Sequence, residues 1–337
     1  MNTVQTIVSN FIAVLAIIIG FFRPNISVSV QTAIRNLSNP LSVESMRQRD
    51  YPGSNITIEE TLSPEKTYSR YIVSYRSDGL KLYALLFVPN GVKPAEGWPV
   101  IILNHGYIIP ERYTPDGNYI AYADAFAKNG YIVFKPNYRG NGKSEGEPTS
   151  SYFSPDYIID DLNAISSIRK YTLADPNKIG VWGHSMGGYI TLKDLVINRT
   201  DIKAASIWAG VVAPYSDLMF NWQDKVSYKP DAEDLRLRNQ NRDFLIKTFK
   251  TPAENPAFWN SIDPFTYLSD IKTPVQIEVG LADSQVPSDF SKNLYNKLKA
   301  VGKNVEYFEY PGNNHDINQS FTLAMKRTID FFDLYLK

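Results

Sequence analysis

The chain has no cysteine and only three histidines, His105, His184 and His315. The missing cysteine excludes disulfide frameworks, thiol nucleophiles, zinc–thiolate sites and iron–sulfur clusters together. It does not fix the compartment, because a cysteine-free chain is viable in either redox setting. An excess of either charge is lacking too. Lys and Arg total 35, Asp and Glu total 35, and the formal net charge is +0. The basic field that nucleic-acid binding requires is absent, so no nucleic-acid partner is expected. Over 337 residues, 43% are hydrophobic and 21% charged, which suits a globular chain with a large core and not a disordered one.

The first 22 residues carry no charged side chain. Residues 11–22 form a continuous apolar run, of the length of a signal-peptide core at ~7–15 residues. Extended back through Ile7 and Val8, the run approaches the ~17–25 residues that span a bilayer. A signal peptide should open with positive side chains and end in a small-residue cleavage site, and Ser27-Val28-Ser29 is a poor substitute for one. Residues 7–22 are therefore expected to be an uncleaved membrane anchor, with a cleaved signal or a buried helix as the alternatives. Arg23, Arg35, Arg47 and Arg49 all follow the segment, so an anchor puts the catalytic part on the cytosolic side. A cleaved signal puts it outside.

Residues 23–65 are polar, with little periodicity, and read as a linker or extended arm before a catalytic domain over 66–337. Two β-rich runs, 71–75 and 82–88, flank Asp78-Gly79, a strong hairpin signal. Residues 100–103 are a short, wholly apolar run typical of a strand buried on both faces. Strands at 131–134, 178–182, 204–208, 275–279 and 305–310 alternate with helical patterns at 119–128, 157–171, 187–197, 289–301 and 317–336. That alternation implies an α/β fold with a parallel sheet and right-handed crossovers. Residues 213–262 break the rhythm and read as a helical insertion.

Chemistry enters where the strand at 178–182 runs into Gly183-His184-Ser185-Met186-Gly187-Gly188 and a helix follows at once. This Gly-x-Ser-x-Gly run has the strand–turn–helix setting of a nucleophile elbow. Gly183 and Gly187 are small because so tight a turn admits no bulk, and Ser185 takes a strained backbone that lifts its hydroxyl clear of the sheet. A serine hydroxyl needs a general base. His184 abuts the nucleophile and should point away. His105 lies in the loop after residues 100–103 and should shape that loop. His315, in the Gly/Asn-rich loop after the last strand, is left as the base. The chain order Ser…Asp…His places the acid after the penultimate strand, at Asp283. Asp316 is too close to His315 in sequence, and Asp270 precedes that strand at its wrong end. The oxyanion donors are the amides of Met186 and Tyr107, and losing one such donor typically costs ~2.7–4 kcal/mol of transition-state stabilisation.

Six stretches together carry a resemblance: Asn104-His105-Gly106, Asn137-Tyr138-Arg139-Gly140-Asn141-Gly142, Asp160-Asp161-Leu162 with Asp175-Pro176-Asn177-Lys178-Ile179-Gly180, the elbow at 183–188, residues 280–287, and 310–315. From about Tyr68 to the C-terminus the chain resembles the α/β-hydrolase fold and, within it, the catalytic domain of the prolyl oligopeptidase family. The resemblance implies a mostly parallel, eight-stranded twisted sheet with helices on both faces and a small helical lid. It implies Ser185, Asp283 and His315 as a triad, with the Tyr107 hydroxyl as a possible helper, and no cofactor or metal. About sixty-five residues precede the hydrolase segment, too few for the family's β-propeller, and no acidic pair for a peptide N-terminus is evident. The expected activity is acyl-bond hydrolysis, by a prolyl-oligopeptidase-like serine peptidase or by a carboxylesterase, on a short peptide or a small ester. A tethered binding protein that has lost activity is the alternative from another class. Trp222, Phe244, Phe249, Phe258 and Trp259 are expected to line an acyl pocket or to form the core of the lid.

Overall fold

In the computed structural model the described residues are 39–149, 151–198 and 201–337. The apolar segment read as an anchor lies outside them. Among the described residues no helix is long and apolar enough to cross a membrane.

Nine strands form one sheet: β1 Thr57–Thr61, β2 Tyr68–Ser77, β3 Leu80–Pro89, β4 Trp98–Asn104, β5 Ile132–Pro136, β6 Ala174–His184, β7 Ile202–Trp208, β8 Val275–Gly280 and β9 Val305–Tyr310. Their order is β1-β2-β3-β5-β4-β6-β7-β8-β9. The pairings among β1, β2, β3 and β5 are antiparallel, and from β5 to β9 every pairing is parallel. The β2–β3 hairpin turns through Asp78 and Gly79 with φ of 52° and 81°, the doubly positive turn that matches strand twist. The sheet has one strand more than expected, because β1 lies in the segment read as a linker. All five β1 residues are exposed, so no burial pattern marks the strand in sequence. The same segment holds helix α1, Val43–Gln48, which Ser42 caps by accepting from the Ser45 amide.

The other helices are α2 Ile120–Lys128, α3 Asp156–Ile168, α4 Met186–Ile197, α5 Tyr215–Phe220, α6 Ala232–Phe249, α7 Pro256–Ile262, α8 Ser288–Ala300 and α9 Phe321–Leu336. Two apolar cores lie on opposite faces of the sheet. Val100 and Ile102 of β4 enter one, beside α3, α4 and α8; Ile101 and Leu103 enter the other, beside α2 and α9. Burial on both faces is why β4 reads as an unbroken apolar run. Helices α5 to α7 make up the insertion foreseen at 213–262 and cover the C-terminal ends of the parallel strands. Lys193 of α4 anchors them by donating to the Ile262 carbonyl at 2.8 Å.

One charged cluster ties the hairpin to α3. The Arg139 guanidinium donates to Asp160 at 2.7, 3.0 and 3.1 Å and to Asp156 at 3.1 Å, and its backbone amide also meets Asp160 at 2.9 Å. Ser77 of β2 donates to the same carboxylate at 2.7 Å. Asp160 is fully buried, and burial is the dominant influence, raising its pKa against the pull of Arg139. Truncating one partner of a buried pair strands the other charge. Arg139→Ala should therefore lower unfolding free energy by about 3–5 kcal/mol in urea titration. A loss under about 1 kcal/mol, the range of an exposed ion pair, would contradict this reading.

Candidate active site

Ser185 joins β6 to α4 with φ 55° and ψ −120°, a conformation that side chains resist. Three backbone bonds of 3.0 Å hold it there: its amide donates to the Trp208 carbonyl of β7, and its carbonyl accepts from the amides of Gly188 and Val211. The flanking glycines are required by contact. A β-carbon at Gly187 would lie 1.9 Å from the Asn104 carbonyl oxygen, and one at Gly183 would lie 2.3 Å from that of Gly187. Only bare backbone lets α4 begin this close to the end of β4. Gly106 also adjoins the nucleophile, since a β-carbon there would stand 3.1 Å from that of Ser185.

Asp283 and His315 sit in the loops after β8 and β9. His315 Nδ1 donates to Asp283 Oδ2 at 2.7 Å, with the aspartate side chain fully buried. Asp283 Oδ1 accepts the amides of Gln285 at 2.8 Å and Val286 at 2.9 Å, so both oxygens are engaged. With Nδ1 committed, Nε2 is the ring atom left to take a proton. The two rejected aspartates have other neighbours: Asp270 pairs with Arg47 at 2.8 Å, and Asp316 approaches His184 at 3.7 Å. His105 is buried among Tyr113 and Tyr138, and burial drives its pKa down to about 3. It shapes the oxyanion loop by a 2.7 Å contact with the Gly106 carbonyl.

His184 does more than pack. Its ring lies 4.5 Å from that of His315, centroid to centroid, which sets the base beside the elbow. His184 Nε2 meets the His315 carbonyl oxygen at 3.1 Å, and Nδ1 meets the Tyr119 hydroxyl at 2.7 Å. A carbonyl can only accept, so Nε2 carries the proton and Nδ1 must accept from Tyr119. The Tyr119 oxygen is then free to accept the Gly106 amide, at 2.8 Å. Burial, with His315 beside it, holds the His184 pKa well below its usual range, which keeps the ring neutral. This one-way chain links the loop after β4 to the loop after β9. Tyr119 escaped the sequence reading because its partners are 13 and 65 positions distant and it belongs to no motif.

A cavity of about 200 Å³ opens over Ser185. Tyr107, Ile109 and Tyr152 line it from the catalytic domain, and Trp222, Leu235 and Arg238 from the insertion. Of the five aromatics proposed for a pocket, Trp222 alone reaches it. Phe249 and Phe258 stack at 3.9 Å within the lid, and Phe258 packs against Trp259 at 5.2 Å. Phe244 likewise packs into the core. Arg238 was not foreseen, because one arginine in a charged helix carries no signal of what it faces. Met186 opens α4 directly after the nucleophile, and Tyr107 follows Gly106, so both expected oxyanion residues flank Ser185. Among the described residues no cluster of three or more metal-ligating side chains occurs.

Tyr119→Phe removes one hydroxyl that serves two partners and strands a buried histidine nitrogen and an amide. The expected stability loss is about 1–3 kcal/mol. Nitrogen NMR should show His184 of the wild type as the neutral Nε2–H tautomer from about pH 5 to 8 and that tautomer no longer fixed in the variant. A protonated His184 at the low end of that range would overturn the assignment.

The prolyl oligopeptidase family matches residues 119–337. An uncharacterized peptidase of Bacillus subtilis, YtmA, is 26% identical over 275 residues, covering 78% of this chain and 96% of that protein. The Pyrococcus horikoshii acylaminoacyl peptidase structure superposes with a TM-score of 0.62 at 25% identity, over 81% of this chain and 42% of that one. An acetyl xylan esterase from Paenibacillus superposes with a TM-score of 0.65 at 17% identity, over 92% and 96%. The chain thus spans about two fifths of the acylaminoacyl peptidase and nearly all of the esterase. Taken with the elbow and the engaged acid–base pair, these matches establish that the chain belongs to the prolyl oligopeptidase family and is a serine hydrolase.

Proposed function

We propose that the chain hydrolyses small carboxylic esters through Ser185, His315 and Asp283. Ser185 Oγ attacks the acyl carbon while His315 Nε2 takes its proton. Asp283 holds the imidazolium that forms, and the amides of Tyr107 and Met186 donate hydrogen bonds to the carbonyl oxygen as it becomes negative. Collapse expels the alcohol, which takes the proton from His315. Water then enters and attacks the acyl carbon as it loses a proton to the same ring; the bond to Ser185 Oγ breaks, the serine oxygen takes that proton back, and the acid leaves. The observation that carries this reading is the cavity of about 200 Å³ over Ser185, walled on one side by residues between Trp222 and Arg238 of the insertion and, among the described residues, by no carboxylate. A short acyl or aryl group suits that space, whereas a peptide N-terminal ammonium finds no acidic partner there. Cleavage of short peptide amides is the second reading, favoured by the peptidases among the relatives. Attachment to a membrane through residues 7–22 remains part of the proposal, supported by the continuous apolar run at 11–22 and by the lack of any charged side chain before Arg23.

A fluorophosphonate probe should label the wild type and not Ser185→Ala, and kcat on p-nitrophenyl acetate should fall by ~10⁵–10⁶ in that variant. Folded wild type that never labels would favour the inactive binding protein. Peptide anilides turned over faster than esters would exchange the first reading for the second. Full-length protein recovered wholly outside the membrane fraction would remove the anchor.

A further inference from the structure

Among the described residues the wall of the cavity over Ser185 carries one charged side chain, that of Arg238 of α6. Its surroundings differ from those of the other cations near this end of the insertion. Arg236 pairs with Glu111 at 3.6 Å, Arg242 with Asp243 at 2.9 Å, and Arg112 reaches Glu233 at 3.3 Å. Among the described residues Arg238 has no carboxylate and no hydrogen-bond acceptor. Its contact is with Trp222, whose ring centroid lies 4.8 Å from the guanidinium carbon. Stacking uses the face of a guanidinium and leaves the N–H groups on its edge for a planar anion.

The position is also prepared. Trp222 donates its indole N–H to the Gln285 carbonyl at 2.8 Å, and the Tyr228 amide donates to the Ser284 carbonyl at 2.9 Å. The ring under Arg238 is therefore fastened to the loop that carries Asp283. Asp283 itself is engaged by His315 and by the amides of Gln285 and Val286. Burial lowers the Arg238 pKa, Tyr152 works against that shift, and the like charge of Arg242 adds to it. A guanidinium drawn partly out of water without an acid is costly, and a ligand carboxylate that supplies two parallel acceptors offsets the cost.

We infer that Arg238 selects substrates bearing a carboxylate, gripping that group within the cavity while Ser185 attacks the neighbouring acyl bond. This rests on the hydrolase reading above and names its substrate class. The carboxylate belongs to one of two places: the acyl half, as in a half-ester of a dicarboxylic acid, or the leaving half, as in a hydroxybenzoate.

Two substrate pairs separate these cases. For the acyl half, p-nitrophenyl hemiglutarate is compared with p-nitrophenyl valerate; for the leaving half, para-acetoxybenzoate with its methyl ester. Each pair is read as the ratio of kcat/KM, anionic over neutral, in wild type and in Arg238→Gln. A merely structural stack on Trp222 would alter both members of a pair alike and cancel. The ratio is expected to fall at least about tenfold in Arg238→Gln in one pair, a change of about 1.4 kcal/mol, with part retained in Arg238→Lys. The pair that responds tells which half carries the charge. Ratios equal within about twofold in both pairs would overturn the inference. Equilibrium binding of benzoate against benzamide, followed by tryptophan fluorescence, reads Arg238 without turnover. Benzoate preference that is lost in Arg238→Gln supports the anion site even if no ester is cleaved, an outcome that would sink the hydrolase reading alone. No benzoate preference in the wild type counts against the anion site itself.

Discussion

Everything at this site depends on how closely a helix can start above a strand. The backbone of Gly187 is pressed onto the last carbonyl of β4, with no room for a methyl group between them. That contact brings the elbow and the loop at Gly106 side by side, although 80 residues separate Gly106 from Met186 in the chain. A donor from each can then face one oxygen. The strained serine follows from the same closeness, and three backbone bonds offset its unfavourable conformation. The strain stays because the surrounding strands leave the serine no relaxed alternative.

The underside of the elbow holds polar groups that a simple core would not contain. Asn104 donates to Asp161 at 3.0 Å and stands within 3.5 Å of Asp194, and all three side chains are buried. Burial raises Asp161 to about 6, and burial together with Asp161 pushes Asp194 well above the usual carboxylate range. Two acids so placed disfavour each other's ionisation, and both meet the Asn104 amide, which joins α3 to α4 at the end of β4. The Arg139–Asp160 cluster one residue along α3 solves the opposite problem by pairing charge with charge. Adjacent aspartates of one motif therefore serve different ends: Asp160 fixes the hairpin, and Asp161 fixes the strand end beneath the nucleophile.

The legible parts of the fold were those with local signals. Asp78-Gly79 announced the hairpin because only certain residues accept two successive positive φ values. The central strands showed as apolar runs because both faces are covered. The strand-to-helix turn at Ser185 and the meeting of Asp283 with His315 were readable because each residue follows a strand in a fixed order and because so few histidines competed. What escaped was whatever depended on contact across the chain. Strand β1 is exposed on both faces and is defined by its pairing with β2, which leaves no trace in composition. Tyr119 matters through partners on two other elements. The insertion's aromatics could be assigned to pocket or core only once their neighbours were known, and the answer divided them, Trp222 to the cavity and Phe249, Phe258 and Trp259 to each other.

The insertion is fastened to the catalytic domain at a telling place. Its two bonds to the carbonyls of Ser284 and Gln285 fall within two residues of Asp283, whose own carboxylate grips the amides of Gln285 and Val286. One short stretch of main chain therefore bears two loads: it holds the insertion in place, and its amides fix the carboxylate that meets the His315 ring.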